Sequence, residues 1–266
     1  MIFPGRFDGK TLVVTGAAQG LGEAVATRAA REGGTVALVD RSEIVHEVSE
    51  KLNGDDGKTV SLTADLEQYG DCSTVMAQAN ERLGRIDILI NNVGGAINFK
   101  PYVEFTEEQI VAEIRRSLFP TLWCCRAVLP FMVERRQGTI VNVSSTGARL
   151  AGIGPIDYNV SKAALAALTK IIAEQFGAQG VRAITVSPGP VATGVWMDPD
   201  GPIARLAKAN GVEHHAFADQ MLSTMGASTG RLSTPEEVAR LIAFTASPNN
   251  ITGADYLIDG GIVKTV

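Results

Sequence analysis

The chain has 266 residues, a hydrophobic fraction of 45% and a formal charge of −5. That length suits one large domain at about 100–200 residues each, with apolar residues enough for a sizeable core. The acidic balance excludes nucleic acid and anionic membrane surfaces as main partners.

In chain order, "TLVVTG" reads as a strand and "AVATRAAREG" as a helix ending in glycine. "TVALVD" and "KTVSLTADL" read as the second and third strands, with no helix singled out between them. "VMAQANERLGRI" is a helix and "DILINNVG" a fourth strand. A nearly apolar helix follows, with its core at Ser117–Val133. Then come a strand "GTIVNVSS", a long helix from Asp157, a strand "VRAITVSPG", a helix over Pro235–Ala246 and a last strand "ADYLIDGG". Short apolar strands with little polar alternation are buried on both faces, which marks a parallel sheet covered by helices. The reading is therefore a single-domain, Rossmann-like doubly wound α/β fold over residues 1–266, with helices on both faces. The least regular stretch, about Gly194–Arg231, reads as a substrate lid, with His214 and His215 exposed on it.

The apolar run is not a membrane span. A span needs about 20 consecutive apolar residues, and this run is shorter and carries Arg126. The three cysteines, Cys72, Cys124 and Cys125, are odd in number and lack spaced ligand pairs. No disulfide framework and no metal site are expected, but buried free thiols in a reducing cytoplasm. No basic-then-apolar leader pattern stands at the N-terminus, so no export signal is expected.

"TGAAQGLG" places Gly16, Gly20 and Gly22 between a strand and a helix. Such glycines permit a tight turn and let backbone N–H groups approach a pyrophosphate. Asp40 follows at the end of the second strand, where a carboxylate binds a ribose diol and repels a 2′-phosphate. This favours NAD over NADP, although the adjacent Arg41 softens the preference. Downstream, Tyr158 and Lys162 in "YNVSK" share a helix face. An ammonium beside a phenol stabilises the phenolate and fits tyrosine for proton exchange with an alcohol. Ser145, at a strand's carboxyl end, is placed to hold a substrate oxygen.

With "NNVG", "SPGPVAT" and "DGG" added, the chain resembles the short-chain dehydrogenases/reductases over nearly its whole length. The resemblance implies Tyr158 as general acid/base, Lys162 as the group that lowers its pKa and binds the nicotinamide ribose, and Ser145 as the substrate anchor. It implies cofactor contacts from Gly16, Gln19, Gly20, Leu21, Gly22, Asp40, Arg41, Asp65, Leu66, Asn91, Gly94, Pro188, Gly189, Val191 and Thr193. Asp65 would hold the adenine, Asn91 the adenosine side, and Val191 and Thr193 the nicotinamide amide. The apolar helix would lie under the active site and pair with its twin in a homodimer or homotetramer.

The chain departs from that family where a fourth catalytic residue, an Asn, is usual: Ser117 stands there, with Pro120 three residues on. Pro120 cannot donate to the Arg116 carbonyl, so it is expected to bend the helix and free that carbonyl. "EIRRSLFPTLWCCRAVLP" further resembles the cis-diol dehydrogenases of benzoate breakdown, a likeness that the reading confines to the first half of the chain. Arg115 and Arg116 would then meet a substrate carboxylate; the alternative is ion pairing with Glu108 or Glu113. The small-molecule substrate is thus a secondary alcohol or ketone, including such a diol. A non-catalytic module sensing NADH is the alternative to an enzyme.

Overall fold

The computed structural model describes residues 2–53, 58–150 and 155–264. Seven parallel strands form one sheet: β1 (Thr11–Thr15), β2 (Thr35–Asp40), β3 (Thr59–Thr63), β4 (Ile88–Asn91), β5 (Gly138–Val143), β6 (Val181–Pro188) and β7 (Asp255–Ile258). Their order is β3-β2-β1-β4-β5-β6-β7. The chain therefore winds outward one way from β1 to β3 and the other way from β4 to β7. That reversal opens a crevice at the carboxyl ends of β1 and β4.

Period-two geometry explains why the strands look uniformly apolar. In β1, Leu12 and Val14 enter one core and Val13 the other; in β2, Val36 and Leu38 face one side, Ala37 and Val39 the opposite one. The first core is covered by α1 (Gly20–Arg31), α2 (Ile44–Asn53) and α10 (Pro235–Ala246). The second is covered by α3 (Tyr69–Leu83), α5 (Phe119–Glu134) and α6 (Ile156–Phe176). Among the described residues no helix is long and apolar enough to cross a membrane.

Three sequence expectations change. The segment between β2 and β3 is helical: α2 buries Val45 and Val48, one turn apart, while its other face is polar. The stretch read as irregular holds α7 (Gly194–Met197), α8 (Pro202–Ala209) and α9 (His214–Thr224). Short apolar stripes anchor two of these, Ile203, Ala204 and Ala207 on α8 and Ala218 and Leu222 on α9. The helix expected around Ser117–Val133 is two helices. α4 (Glu107–Ser117), opened by a Thr106–Gln109 capping box, ends at Leu118, and α5 begins at Phe119 with Pro120 in its first turn. A proline is tolerated there because the first-turn N–H groups have no intrahelical acceptor.

Asn91 is also displaced from its expected place. Its side chain is buried in the second core, where Nδ2 donates to Asn142 Oδ1 at 2.9 Å. Asn142 Nδ2 donates in turn to Thr169 Oγ1 at 2.9 Å, so β4, β5 and α6 share one polar tie. A strand's alternation sends Asn91 inward and leaves the next residue, Asn92, at the crevice. Asn142→Ala cuts the tie while Asn91 Nδ2 keeps Cys125 Sγ and Thr169 Oγ1 keeps Leu165 and Thr185, and we expect a loss of about 1 kcal/mol in stability by denaturant titration; an unchanged midpoint would show that the tie is dispensable.

Candidate active site

A cavity of about 1040 Å³ runs along the carboxyl edge of the sheet. One end is walled by Gly16, Gln19, Gly20 and Leu21 after β1, Asp40 and Arg41 after β2, and Asp65 and Leu66 after β3. The other end is walled by Gly94, Ser145, Tyr158 and Lys162, with Pro188, Gly189, Val191 and Thr193 after β6. The structure thus brings together most of the residues singled out from the sequence. Gly22, Asn91, Arg115 and Ser117 lie outside the walls, each for a different reason.

Gly22 acts by being absent as a side chain. A Cβ there would stand 1.9 Å from the Gly16 carbonyl oxygen, so only glycine lets α1 start this close to β1. Gly16 itself has φ +67°. Asn92, which the sequence reading did not single out, pins the turn: its Nδ2 donates to the carbonyls of Thr15 and Gly16 at 3.2 and 3.3 Å. Asp40 is held by backbone amides, with Ala18 N–H donating to Oδ2 at 3.1 Å and Ser42 N–H to Oδ1 at 3.0 Å. Arg41 turns toward Glu67, at 3.9 Å. A glycine cradle at a helix start beside a fixed carboxylate fits a nicotinamide dinucleotide, pyrophosphate on the cradle and ribose diol on Asp40.

At the other end, Ser144 Oγ–H donates to the Lys162 carbonyl at 2.7 Å and binds α6 to β5. Ser145 Oγ accepts from Gly147 N–H at 3.1 Å and also hydrogen-bonds Tyr158. Lys162 Nζ donates to the Val143 carbonyl at 3.0 Å and lies 5.6 Å from the centre of the Tyr158 ring. Enclosure by protein pushes the Tyr158 phenol up to about 12, against the pull of Ser145. The same enclosure draws Lys162 down to about 8, against the pull of Glu113. The lysine therefore sits under the tyrosine ring, within reach of the phenol on which the sequence reading has it act.

The two arginines part. Arg116 lines the cavity and donates Nη1 to Glu113 Oε2 at 3.3 Å, whereas Arg115 points to solvent. Ile97 and Phe99 from the β4 side, Trp196 from α7, and Phe217 and Met221 from α9 form an apolar part of the wall, beside Asp198, Asp200, Arg205 and Gln220 from the lid. These lid residues had no sequence signal beyond the hydrophobic pattern of α9. His214 does not reach into the chemistry; its Nε2 meets the Trp196 carbonyl at 2.9 Å. Ser117 lies buried behind Gly94 and Gly95, where Gly95 N–H donates to its Oγ at 3.3 Å.

With this geometry in place, comparison with known proteins is informative. The family model described as short chain dehydrogenase matches residues 10–200. A 1,6-dihydroxycyclohexa-2,4-diene-1-carboxylate dehydrogenase of Pseudomonas putida is 44% identical over 260 residues, 96% of this chain and 93% of the relative. A protein of the same name from Acinetobacter baylyi is 42% identical over 262 residues, 96% of this chain and 97% of the relative. A crystal structure of a short-chain type dehydrogenase/reductase from Mycobacterium marinum superposes with a TM-score of 0.85 at 26% identity, covering 97% of each chain. The likeness to the diol dehydrogenases extends over nearly the whole chain, beyond the first half expected from the sequence.

Gly22→Ala tests the cradle. The added methyl group has to displace the Gly16 carbonyl, and we expect the dinucleotide Kd to rise at least about tenfold, or ~1.4 kcal/mol, by titration calorimetry; unchanged affinity would remove the cradle from the binding site.

Proposed function

The chain belongs to the short-chain dehydrogenase family and is an oxidoreductase working with a nicotinamide cofactor; on that premise we propose that it oxidises a cyclic cis-diol bearing a carboxylate, with NAD as its cofactor. The observation that carries the substrate assignment is Arg116 on the wall of a cavity that also holds Ser145 and Tyr158. A guanidinium is the side chain best matched to a carboxylate, and the apolar wall of Phe99, Trp196 and Phe217 suits a flat six-membered ring. The names of the two bacterial relatives support the same class.

The chemistry follows from the groups present. Ser145 holds the hydroxyl oxygen to be oxidised and Tyr158 takes its proton. Bound nicotinamide supplies the hydride acceptor. Lys162 supplies positive charge beneath the phenol. Oxidation of the hydroxyl next to the carboxylate-bearing carbon gives a β-keto acid, which loses carbon dioxide readily because the electrons released form an enol. In a diene ring that enol is aromatic, so the product is a catechol. Asp40 supports NAD over NADP, since its fixed carboxylate repels a 2′-phosphate. All of Ser145, Tyr158 and Lys162 stand at one cavity, which supports an enzyme over a sensor of NADH.

We propose a homodimer or homotetramer built on α6, whose outward face carries Val160, Ala163, Ala167 and Ile171 in an exposed stripe at helical spacing. A cytoplasmic setting suits the buried free thiols Cys72, Cys124 and Cys125.

Two measurements check the reading. Tyr158→Phe lowers kcat by about 10²–10⁴-fold while cofactor affinity stays the same; retained turnover would remove Tyr158 from proton transfer. Arg116→Gln raises KM for the carboxylated diol about ten- to hundredfold more than for the uncharged diol, the worth of a charge-assisted pair. Arg115→Gln changes neither. Equal losses of Arg116→Gln on both diols would refute the carboxylate assignment.

A further inference from the structure

Glu113 is an acid in an unexpected place. It lies on α4 with 1% of its surface exposed, four residues before Ser117 and therefore on the same face. Its Oε1 accepts the Ser117 hydroxyl at 2.5 Å and its Oε2 accepts Arg116 Nη1 at 3.3 Å. Ser117 Oγ then abuts Gly94. A Cβ built on Gly94 would lie 3.0 Å from Lys162 Nζ and 3.3 Å from Ser117 Oγ, so the lysine and the serine crowd the same bare α-carbon. Gly94 has φ +142°, which glycine alone adopts without strain. A carboxylate, a hydroxyl and an ammonium are thus lined up behind the reacting tyrosine.

We propose that Glu113, acting through Ser117, is the counter-ion that keeps Lys162 charged in its buried position, and so positions charge for proton transfer at Tyr158. The inference rests on the oxidoreductase reading above. Lys162 needs such a partner: it is 2% exposed, and its hydrogen bond to the Val143 carbonyl supplies only a dipole. A buried cation without an opposite charge gives up its proton.

The charges around this point are few. α4 contributes Glu113 and Arg116; α6 contributes Asp157, Tyr158 and Lys162. β5 offers the Val143 carbonyl, and Gly95 an amide. Asp157 faces Glu113 rather than the lysine. Its Oδ1 accepts the Tyr158 N–H at 2.8 Å, and its Oδ2 is buried with no hydrogen-bond partner among the described residues. Of the two acids, Glu113 is the one whose charge raises both Lys162 and Tyr158. Burial and Asp157 push the Glu113 carboxyl upward, while Ser117, Arg116 and Lys162 hold it down.

Neutralising Glu113 removes a negative charge that favours protonated Lys162 and protonated Tyr158, so both groups titrate at lower pH. Lys162 is read directly by NMR of protein labelled with carbon-13 in its lysines, its resonance identified by loss in Lys162→Met. In Glu113→Gln, the Lys162 titration falls by about one unit, at the small end of what a single opposite charge does. With the diol as substrate, the whole bell-shaped kcat profile moves acidward, a shift that lost packing alone does not produce. If Glu113→Gln does not fold, Ser117→Ala replaces it and moves Lys162 in the same direction by less. A Lys162 titration left in place by the variant that folds overturns the proposal. Because that titration needs no turnover, it stands even where wild-type protein fails to oxidise any alcohol, which would instead overturn the reading on which the inference rests.

Discussion

The strand reversal between β1 and β4 is the constraint on which the rest of the molecule depends. Both strands point their carboxyl ends at one crevice, while the chain leaves β1 toward β2 and β4 toward β5. No crossover helix can cover that gap, so backbone and side chains there remain open to a ligand. Gly16, Gly20 and Gly22 occupy the β1 side, Asn92 and Gly94 the β4 side. Asn92 bridges the two by holding the carbonyls of Thr15 and Gly16. The cofactor cradle and the reacting groups are therefore parts of one geometric feature.

Electrostatics divide the cavity sharply. Its floor holds alternating charges, Arg116 against Glu113 and Glu113 toward Lys162, in surroundings dry enough to move Tyr158 and Lys162 in opposite directions. Its roof, built by α7, α8 and α9, places Trp196, Phe217 and Met221 beside the charged Asp198, Asp200 and Arg205. The short bridge between Val191 and Ser233 fixes the base of this roof to the body of the protein.

Ser117 joins two parts of the site. Its hydroxyl links the Gly95 amide to the Glu113 carboxylate. The break between α4 and α5 at Leu118 places that link behind the lysine, and Pro120 in the first turn of α5 makes the break compatible with an otherwise apolar run.

The sequence by itself determined the parallel sheet, the glycine turn, Asp40 and the Ser145, Tyr158 and Lys162 set. These depend on period-two burial, on φ angles only glycine adopts, and on one helix turn of spacing, all of which are local. α2 and the helices of the lid escaped because their apolar stripes are two or three residues long, too few to stand out from a polar background. Only the tertiary structure decided which of two neighbouring residues lines the cavity: Arg116 and Asn92 do, while Arg115 and Asn91 do not. Adjacent positions differ by about 100° on a helix and by a full face on a strand, so the outcome rests on how each element is rotated against the core. Glu113 belongs to the same class. Its placement behind Lys162 comes from the packing of α4 on α6, between residues almost fifty positions apart, and no local spacing records it.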